Sequence, residues 1–281
     1  MNSASHYVVN FDPFALRFPD GFFLDGVRWY GLSYLAGFAA ALLLFNLYSA
    51  KGKSPLNGDE NSSLLTYLLV GVIVGGRLGY MLLYSFDAFL ENPLVFFQVW
   101  KGGMASHGGF VGVLLALAAF SKVHRQSFLR LADLVVASSG LGIFFGRIAN
   151  FVNGELWGKV SDVPWAMIFP NSAPAGTALA DIPARHPSQL YEAFAEGLFL
   201  FAYTQWRLWK GNPPKGRIAG EYLVLYGILR IVCEVFREPD FGVSLICGLS
   251  RGTFYSVFAI VAGVCLAVYA QLRAKGGSGG R

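Results

Sequence analysis

Three stretches of this chain, at residues 29–50, 102–121 and 252–272, contain no charged residue over 20 or more positions. A helix needs about 20 predominantly apolar residues to cross the hydrocarbon core of a bilayer. The composition agrees, because 54% of the residues are hydrophobic and only 14% are charged, which is too apolar for an ordinary soluble domain. The chain is therefore predicted to be an all-α integral membrane protein.

Four further apolar stretches are long enough to span a bilayer but carry one to three charged residues each. They are residues 64–86, 134–153, 189–206 and 219–236. Together with the uncharged stretches they predict seven transmembrane helices. Glycines recur at four-residue spacing within residues 71–79 and 108–112, which predicts that helix backbones approach closely there.

The distribution of basic residues predicts the orientation of these helices. With the N-terminus outside, the inner loops hold twelve Lys and Arg residues and the outer segments hold six. Cytoplasmic loops are the ones enriched in basic residues, so the prediction is N-out and C-in. The net charge of +5 then reflects topology and anionic headgroups, and no nucleic acid partner is expected.

The domain organisation is predicted to be simple. Residues 1–275 form a single polytopic membrane domain, and the proline-rich loop at 154–187 forms a small extracytoplasmic cap. The apolar stretch at 93–100 is too short to span and predicts an interfacial or re-entrant helix. The glycine-rich end at 276–281 is typical of a flexible tail or a remnant of cloning.

Two of the predicted helices carry polar residues on a single face. Arg147, Asn150 and Gly154 follow one another at i, i+3 and i+7. On the sixth span a second stripe has the spacing i, i+4, i+8 and i+11, with Tyr226, Arg230, Glu234 and Arg237. A charged stripe facing lipid is costly, so both faces are predicted to point into the helix bundle.

The charges on these faces do not balance in the sequence. Arg77, Arg147, Arg230 and Arg237 outnumber Glu234, and Glu155 balances only one more. A cationic interior of this kind indicates an anionic ligand, and the guanidinium fork suits phosphate. The alternative for Arg230 and Glu234 is a structural ion pair that fixes the helix register.

Two histidines are open to either a structural or a direct role. His107 lies among glycines at the outer start of the third span, and His186 precedes a proline at the start of the fifth. Capping and helix initiation would explain His186 as well as a role in chemistry would.

The run G-R-I-A-N-F-V-N-G-E-L-W-G at 146–158 resembles the signature of the prolipoprotein diacylglyceryl transferase family. That signature reads G-R-x-G-N-F-x-N-x-E-x-x-G, and this chain departs from it at Ala149. Further matches are R-W-Y-G-L at 28–32, G-G-R-L-G-Y at 75–80, the glycine-rich run at 102–109, H-P-S-Q-L-Y-E at 186–192 and Y-G-x-x-R at 226–230. Thr253 stands where the family has a glutamine.

The resemblance implies an enzyme of the bacterial cytoplasmic (inner) membrane with its active site toward the extracytoplasmic side. Members transfer the diacylglyceryl group of phosphatidylglycerol to the lipobox cysteine thiol of preprolipoproteins. A thioether forms and glycerol phosphate leaves. The implied partners are phosphatidylglycerol, lipobox peptides and the bilayer, and neither a cofactor nor a metal is expected.

The reaction implied by the resemblance suggests a role for each of the polar residues. Arg147 and Arg230 are expected to clamp the phosphate, with Arg77 and Arg237 as supporting or gating cations. His107 is the candidate base for the substrate thiol, and the alternative is that the arginine field alone lowers the thiol pKa. The remaining expected substrate-binding residues are Tyr30, Asn150, Asn153, Gly154, Glu155, Tyr226 and Glu234.

Two other functions use the same residues. One is a transporter or channel for a phosphorylated or anionic solute, and the other is a non-catalytic lipid-binding scaffold. The transporter needs access from both faces, whereas most of the candidate residues cluster toward the outer half. Uptake of glycerol phosphate without lipid transfer would identify a transporter. Binding of phosphatidylglycerol without release of glycerol phosphate would identify a scaffold.

Overall fold

The computed structural model describes residues 6–19, 21–22, 25–98, 102–239, 246 and 248–278. The described chain divides into two compact units, Met1–Ala41 with Val135–Arg281, and Leu42–Leu134. Its α-helices are α1 (Trp29–Ala50), α2 (Gly58–Tyr84), α3 (Phe86–Glu91), α4 (Ser106–Val123), α5 (Phe128–Val152), α6 (Ser188–Glu192), α7 (Leu200–Trp209), α8 (Arg217–Glu234) and α9 (Arg251–Ser278).

Within the described residues, four helices are long and apolar enough to cross a membrane, namely α1, α2, α5 and the Arg251–Gly276 part of α9. A shorter apolar helix covers His107–Val123. The predicted span at 189–206 lies in a continuous helical stretch, in which a π-helix at Ala193–Phe199 joins α6 to α7. These helices confirm a helical membrane protein, while the number seven and the N-out orientation stay predictions.

The first unit adds two small sheets to its helices. Strands β1 (Tyr7–Val8) and β4 (Met167–Ile168) pair in parallel, and β2 (Phe14–Arg17) and β3 (Gly26–Arg28) pair antiparallel. Strand β4 and 3₁₀ helices at Pro170–Ser172 and Leu179–Asp181 lie in the loop predicted to be a cap. This loop therefore has defined local structure, and its extracytoplasmic location stays a prediction.

Helix packing in the first unit depends on small residues. Helices α8 and α9 lie so close that a Cβ added at Gly220 would be 2.7 Å from the Ala267 nitrogen. Such close approach lets main chains pack without side chains between them.

Helix α9 continues to Ser278, so the predicted flexible tail begins in helical conformation, and its residues 279–281 lie outside the described residues.

The second unit is built around the crossing of α2 and α4. Helix α2 starts with a capping box, in which Asn57 Oδ1 accepts from Glu60 N and Glu60 Oε2 accepts from Asn57 N, both at 2.9 Å. A Cβ added at Gly75 would lie 2.7 Å from Gly112 Cα, which confirms the predicted glycine contact. A 3₁₀ helix at Pro93–Phe97 occupies most of the predicted interfacial segment, whose residues 99–100 lie outside the described ones.

Candidate active site

The signature run forms the end of α5 and the turn that follows it. Arg147 and Asn150 lie one turn apart on the helix. The Glu155 carboxylate accepts a hydrogen bond from Asn150 Nδ2 at 2.8 Å and a longer one from Asn153 Nδ2 at 3.5 Å. The main chain folds back as well, because Glu155 N donates to Asn150 O at 3.1 Å. The turn thus holds a carboxylate against the polar end of the helix.

Gly154 is required by the backbone of this turn. Its φ is +61°, in the left-handed region that glycine adopts at no steric cost. A Cβ at this position would also lie 3.2 Å from the Asn171 side-chain nitrogen. The structure therefore gives Gly154 a conformational role, and its role in substrate binding stays a prediction.

The stripe on α8 contains the ion pair that is the alternative interpretation of Arg230 and Glu234. Arg230 Nη2 lies 2.8 Å from Glu234 Oε2, one turn further along the helix. Tyr226 precedes Arg230 by one turn, and its ring stacks on that of Tyr222 with centroids 6.1 Å apart. The structural ion pair is therefore present, and it is one part of a larger cluster.

Glu192, at the end of α6, is the centre of that cluster. Its Oε2 lies 2.9 Å from Arg147 Nη1. Its Oε1 lies 2.7 Å from Arg230 Nη1 and 3.3 Å from Arg237 Nη1. One fully buried carboxylate therefore joins three guanidiniums that come from α5, α8 and the chain just after α8.

A second buried carboxylate supplements the first. Glu196, on the π-helix, approaches Arg147 Nη2 at 3.5 Å and Arg230 Nη1 at 3.4 Å. With Glu234 the cluster has three carboxylates for its three guanidiniums. The expected surplus of positive charge is therefore wrong for this cluster. The reason is that Glu192 and Glu196, on the neighbouring span, were not counted as partners.

The charged side chains of this cluster differ in the fraction of their surface that is exposed. The side chains of Glu192 and Glu196 have no exposed surface, whereas 19% of Arg147 and 12% of Arg230 are exposed. The carboxylates of Glu192 and Glu196 thus lie behind the guanidiniums of Arg147 and Arg230, whereas Glu234 is exposed to the same extent as Arg230, at 12%. An approaching anion would meet the exposed edge of Arg147 before either buried carboxylate, although the formal charges of the described cluster members balance.

Arg77, in the second unit, binds main-chain carbonyls, and it forms no ion pair with a carboxylate in the part of the chain that the structure describes. Its Nε donates to Phe96 O at 2.9 Å, and its Nη2 donates to Val95 O at 2.6 Å and Gln98 O at 3.2 Å. The Nη1 donates to the carbonyls of Gly102 and Gly103. All five N–H groups of a guanidinium are thereby used. In this structure Arg77 fastens the segment that leads to α4, and its expected role as a supporting cation for the substrate stays a prediction.

His107 lies in the first turn of α4, in the same unit as Arg77. It is exposed, and it lines an apolar groove of about 790 Å³ along the seam of α2 and α4. Its neighbours in this groove include Gly75, Gly79 and Gly108. The role of His107 as the base for a substrate thiol stays a prediction.

His186 has structural contacts on both its ring and its main chain. Its Nδ1 lies 3.1 Å from the Tyr191 hydroxyl, and its ring packs edge-on against Phe236 at 5.2 Å. Its carbonyl accepts a hydrogen bond from Gly158 N at 2.9 Å. These contacts favour the structural reading over a direct role in chemistry.

Tyr30 begins α1 together with Trp29 and is 37% exposed. The Tyr34 hydroxyl donates to the Tyr30 hydroxyl at 3.4 Å, and the two rings meet edge to face at 5.2 Å. The tyrosine pair on α1 belongs to the same unit as the signature turn.

Three functional candidates were missed by sequence reasoning: Gln189, Glu192 and Glu196. All three are fully buried. A usable signal existed, because they follow one another at i, i+3 and i+7 and so share a face of an otherwise apolar span.

Comparison with known proteins identifies the family to which this chain belongs. A sequence profile of the family described as prolipoprotein diacylglyceryl transferase matches residues 21–269. The phosphatidylglycerol–prolipoprotein diacylglyceryl transferase of Pseudoalteromonas translucida is 46% identical over 249 residues, which cover 88% of this chain and 90% of that protein. The enzyme of the same name from Idiomarina loihiensis is 43% identical over 87% of this chain and 89% of its own length. The chain therefore belongs to the prolipoprotein diacylglyceryl transferase family.

Proposed function

We propose that this protein transfers the diacylglyceryl group of phosphatidylglycerol to the lipobox cysteine thiol of preprolipoproteins, with Arg147 and Arg230 as the phosphate clamp. The observation that carries the clamp is that both guanidiniums, from two different helices, bind the same buried carboxylate of Glu192 at 2.9 and 2.7 Å. A shared anchor of this kind holds the two cations side by side. Both terminal nitrogens of each guanidinium contact a carboxylate, and the exposed 19% of Arg147 and 12% of Arg230 are the surface that would bind the two free oxygens of a phosphodiester.

The step exchanges one bond for another at the terminal carbon of the diacylglycerol backbone. The cysteine sulfur attacks this carbon, a C–S bond forms, and the C–O bond to the phosphate breaks. The electron pair leaves on the phosphate oxygen, so glycerol phosphate departs with more negative charge than the phosphodiester had. Arg147 and Arg230 stabilise that developing charge, which is the interaction that lowers a barrier.

The thiol proton needs an acceptor in this scheme. A free thiol has a pKa of about 8.5 and is mostly protonated at neutral pH. His107 takes the proton as general base, or the positive edge of the arginine cluster stabilises the thiolate directly. Glu155, held by Asn150 and Asn153, binds the glycerol hydroxyls of the headgroup, and Tyr30 and Tyr226 donate further hydrogen bonds.

The placement in the cell follows from the same proposal. The chain crosses the bacterial cytoplasmic membrane seven times, N-out and C-in, with the active site toward the extracytoplasmic face. The distribution of basic residues supports this orientation. The orientation is tested by replacing Lys53 and Lys159 one at a time with cysteine and measuring the reaction of each cysteine with a membrane-impermeant reagent. The two positions should react from opposite sides of the membrane, with position 159 on the extracytoplasmic side.

The clamp is tested by transfer from labelled phosphatidylglycerol to a lipobox peptide in membranes. We expect Arg147→Ala and Arg230→Ala each to lower kcat by about 10² to 10³, the usual effect of removing one donor that stabilises a developing oxyanion. Arg207→Ala is the matched control, because Arg207 forms an equally close pair with Glu221 at 2.7 Å outside the cluster. Near-normal transfer by Arg147→Ala or Arg230→Ala would overturn the clamp.

The role of His107 needs its own experiment. If His107 is the base, His107→Gln abolishes transfer near neutral pH. A substantial residual rate, with the same dependence on pH as the wild-type protein, would reject that role and favour activation by the arginine field.

A further inference from the structure

The turn that carries Glu155 is conformationally demanding at two positions. Gly154 has φ +61°, and Leu156, which is not a glycine, has φ +58°. A side chain with a Cβ in the left-handed region is strained and persists only where neighbouring groups hold it. Something outside the turn must therefore stabilise this conformation.

Two consecutive residues at the start of α6 supply that support. Gln189 Nε2 donates to the main-chain carbonyl of Glu155 at 2.6 Å. The Ser188 hydroxyl donates to the carbonyl of Leu156 at 3.1 Å. Both side chains are fully buried. The two hydrogen bonds hold two successive carbonyls, that of Glu155 just before Leu156 and that of Leu156 itself, which is the residue with the strained left-handed conformation.

The amide of Gln189 has an unequal environment. Its Oε1 is buried and accepts no hydrogen bond from the described residues. The reverse orientation of the amide would place Oε1 against the Glu155 carbonyl, two acceptors facing each other. The orientation with Nε2 on the carbonyl is thus required by the turn, and a buried acceptor is left over as its cost.

The same short helix also carries the centre of the arginine cluster. Glu192 follows Gln189 by three residues, so one turn of α6 holds both the Glu155 carbonyl and the guanidiniums of Arg147 and Arg230. Helix α6 therefore fixes the position of the Glu155 carboxylate relative to the phosphate clamp.

We propose that Gln189 is a positioning residue, which fixes the Glu155 carboxylate toward the substrate by holding the main-chain carbonyl of the same residue. Ser188 assists through Leu156. The proposal rests on the proposed function, in which Glu155 binds the headgroup. Gln189 acts through Glu155 and does not itself touch the reacting atoms.

The test is a double-mutant cycle between Gln189→Leu and Glu155→Gln, with kcat and KM for phosphatidylglycerol measured separately. We expect Gln189→Leu alone to lower kcat/KM by roughly tenfold to a hundredfold, since a misplacement of about 1 Å costs up to about 10²-fold. In the Glu155→Gln background the same change should cost less than about twofold, because the group it positions is already lost. Additive effects, or a normal rate for Glu155→Gln alone, would overturn the proposal.

Gln205→Leu is the matched control, because Gln205 Nε2 likewise donates to a main-chain carbonyl, that of Ala137, at 2.7 Å. It should leave the coupling to Glu155 at zero. If Gln189→Leu fails to fold, Ser188→Ala removes the weaker of the two bonds and gives the same cycle. Equal coupling of Gln205 and Gln189 to Glu155 would reduce the role of Gln189 to general stability and reject the proposal.

A readout without turnover separates this inference from the proposed function. Hydrogen exchange of the amides at 154–158 should rise in Gln189→Leu and stay unchanged in Gln205→Leu. Unchanged exchange in Gln189→Leu would overturn the inference even in an active enzyme. A wild-type protein that transfers no lipid would instead refute the proposed function, whatever the exchange result.

Discussion

The guanidinium of Arg147 and the carboxylate of Glu192 lie 2.9 Å apart, and Glu192 has no exposed surface at all. The other oxygen of this carboxylate binds Arg230 at 2.7 Å. Taking a carboxylate out of water is costly, and several close cations are needed to offset that cost. Glu192 therefore depends on the arginines for its burial, and the arginines depend on Glu192 for their mutual position.

We predict that Glu192→Gln is the most damaging neutral substitution in the cluster. It keeps the size of the side chain but removes the charge that three guanidiniums share. Removal of one partner of a buried ion pair costs about 3–5 kcal/mol of unfolding free energy. Thermal unfolding in detergent measures this loss, and we expect transfer to fall by about 10²-fold because both arginines shift.

Glu196→Gln is the comparison for that prediction. Its contacts with Arg147 and Arg230 are longer, at 3.5 and 3.4 Å, so the loss of its charge should cost clearly less in both stability and rate. Equal effects of the two substitutions would contradict the central position of Glu192.

The helix faces of this site could be predicted from the sequence because helical periodicity is local. The spacing of Arg147 and Asn150, and of Arg230 and Glu234, determines which residues share a face whatever lies opposite. The pairing of those faces with Glu192 could not be predicted, because the distances between α5, α6 and α8 depend on tertiary packing. The predicted surplus of positive charge counts only Glu234 and Glu155 as partners of the arginines. Glu192 and Glu196, on the neighbouring span, remove that surplus in the cluster.

Arg77 shows a second limit of sequence reasoning. Its partners are main-chain carbonyls, which every residue has and which leave no sequence pattern. From the sequence alone, an arginine in an apolar helix indicates a binding residue. The hydrogen bonds that Arg77 donates to a loop have no counterpart in the sequence pattern. The strained turn at Leu156 could not be predicted either, because no sequence pattern indicates that a leucine has a positive φ.

We predict that Arg77→Lys destabilises the protein although it keeps the positive charge. Lysine has three donors where arginine has five, so at least two of the bonds to the 95–103 segment are lost. At about 1.5 kcal/mol or more for each bond from a charged donor, the unfolding free energy should fall by about 3 kcal/mol. Thermal unfolding measures it, with Arg130→Lys, at an arginine that donates to the Lys53 carbonyl, as the control in the same unit. Full stability and activity of Arg77→Lys would show that the charge alone matters.

The two tyrosines of α1 should differ in importance. Tyr30→Phe removes a hydroxyl proposed to bind the substrate, and we expect kcat/KM to fall by at least about tenfold, the value of one lost hydrogen bond of about 1.4 kcal/mol. Tyr34→Phe removes the long bond of 3.4 Å to Tyr30 and should lower kcat/KM a few-fold at most. Transfer assays at several phosphatidylglycerol concentrations measure both, and a larger loss in Tyr34→Phe would reverse their proposed roles.

Gly154→Ala tests the strained turn directly. Alanine at φ +61° is disfavoured by about 1–2 kcal/mol, and the new Cβ would press on the Asn171 amide at 3.2 Å. We therefore expect a loss of about that size in unfolding free energy, together with a larger loss of transfer because Glu155 moves with the turn. Gly142→Ala is the control, because that glycine is helical and a Cβ there meets nothing within 4 Å, so helix propensity should make it neutral or slightly stabilising. Equal activity of the two variants would mean that the conformation at Gly154 does not position Glu155.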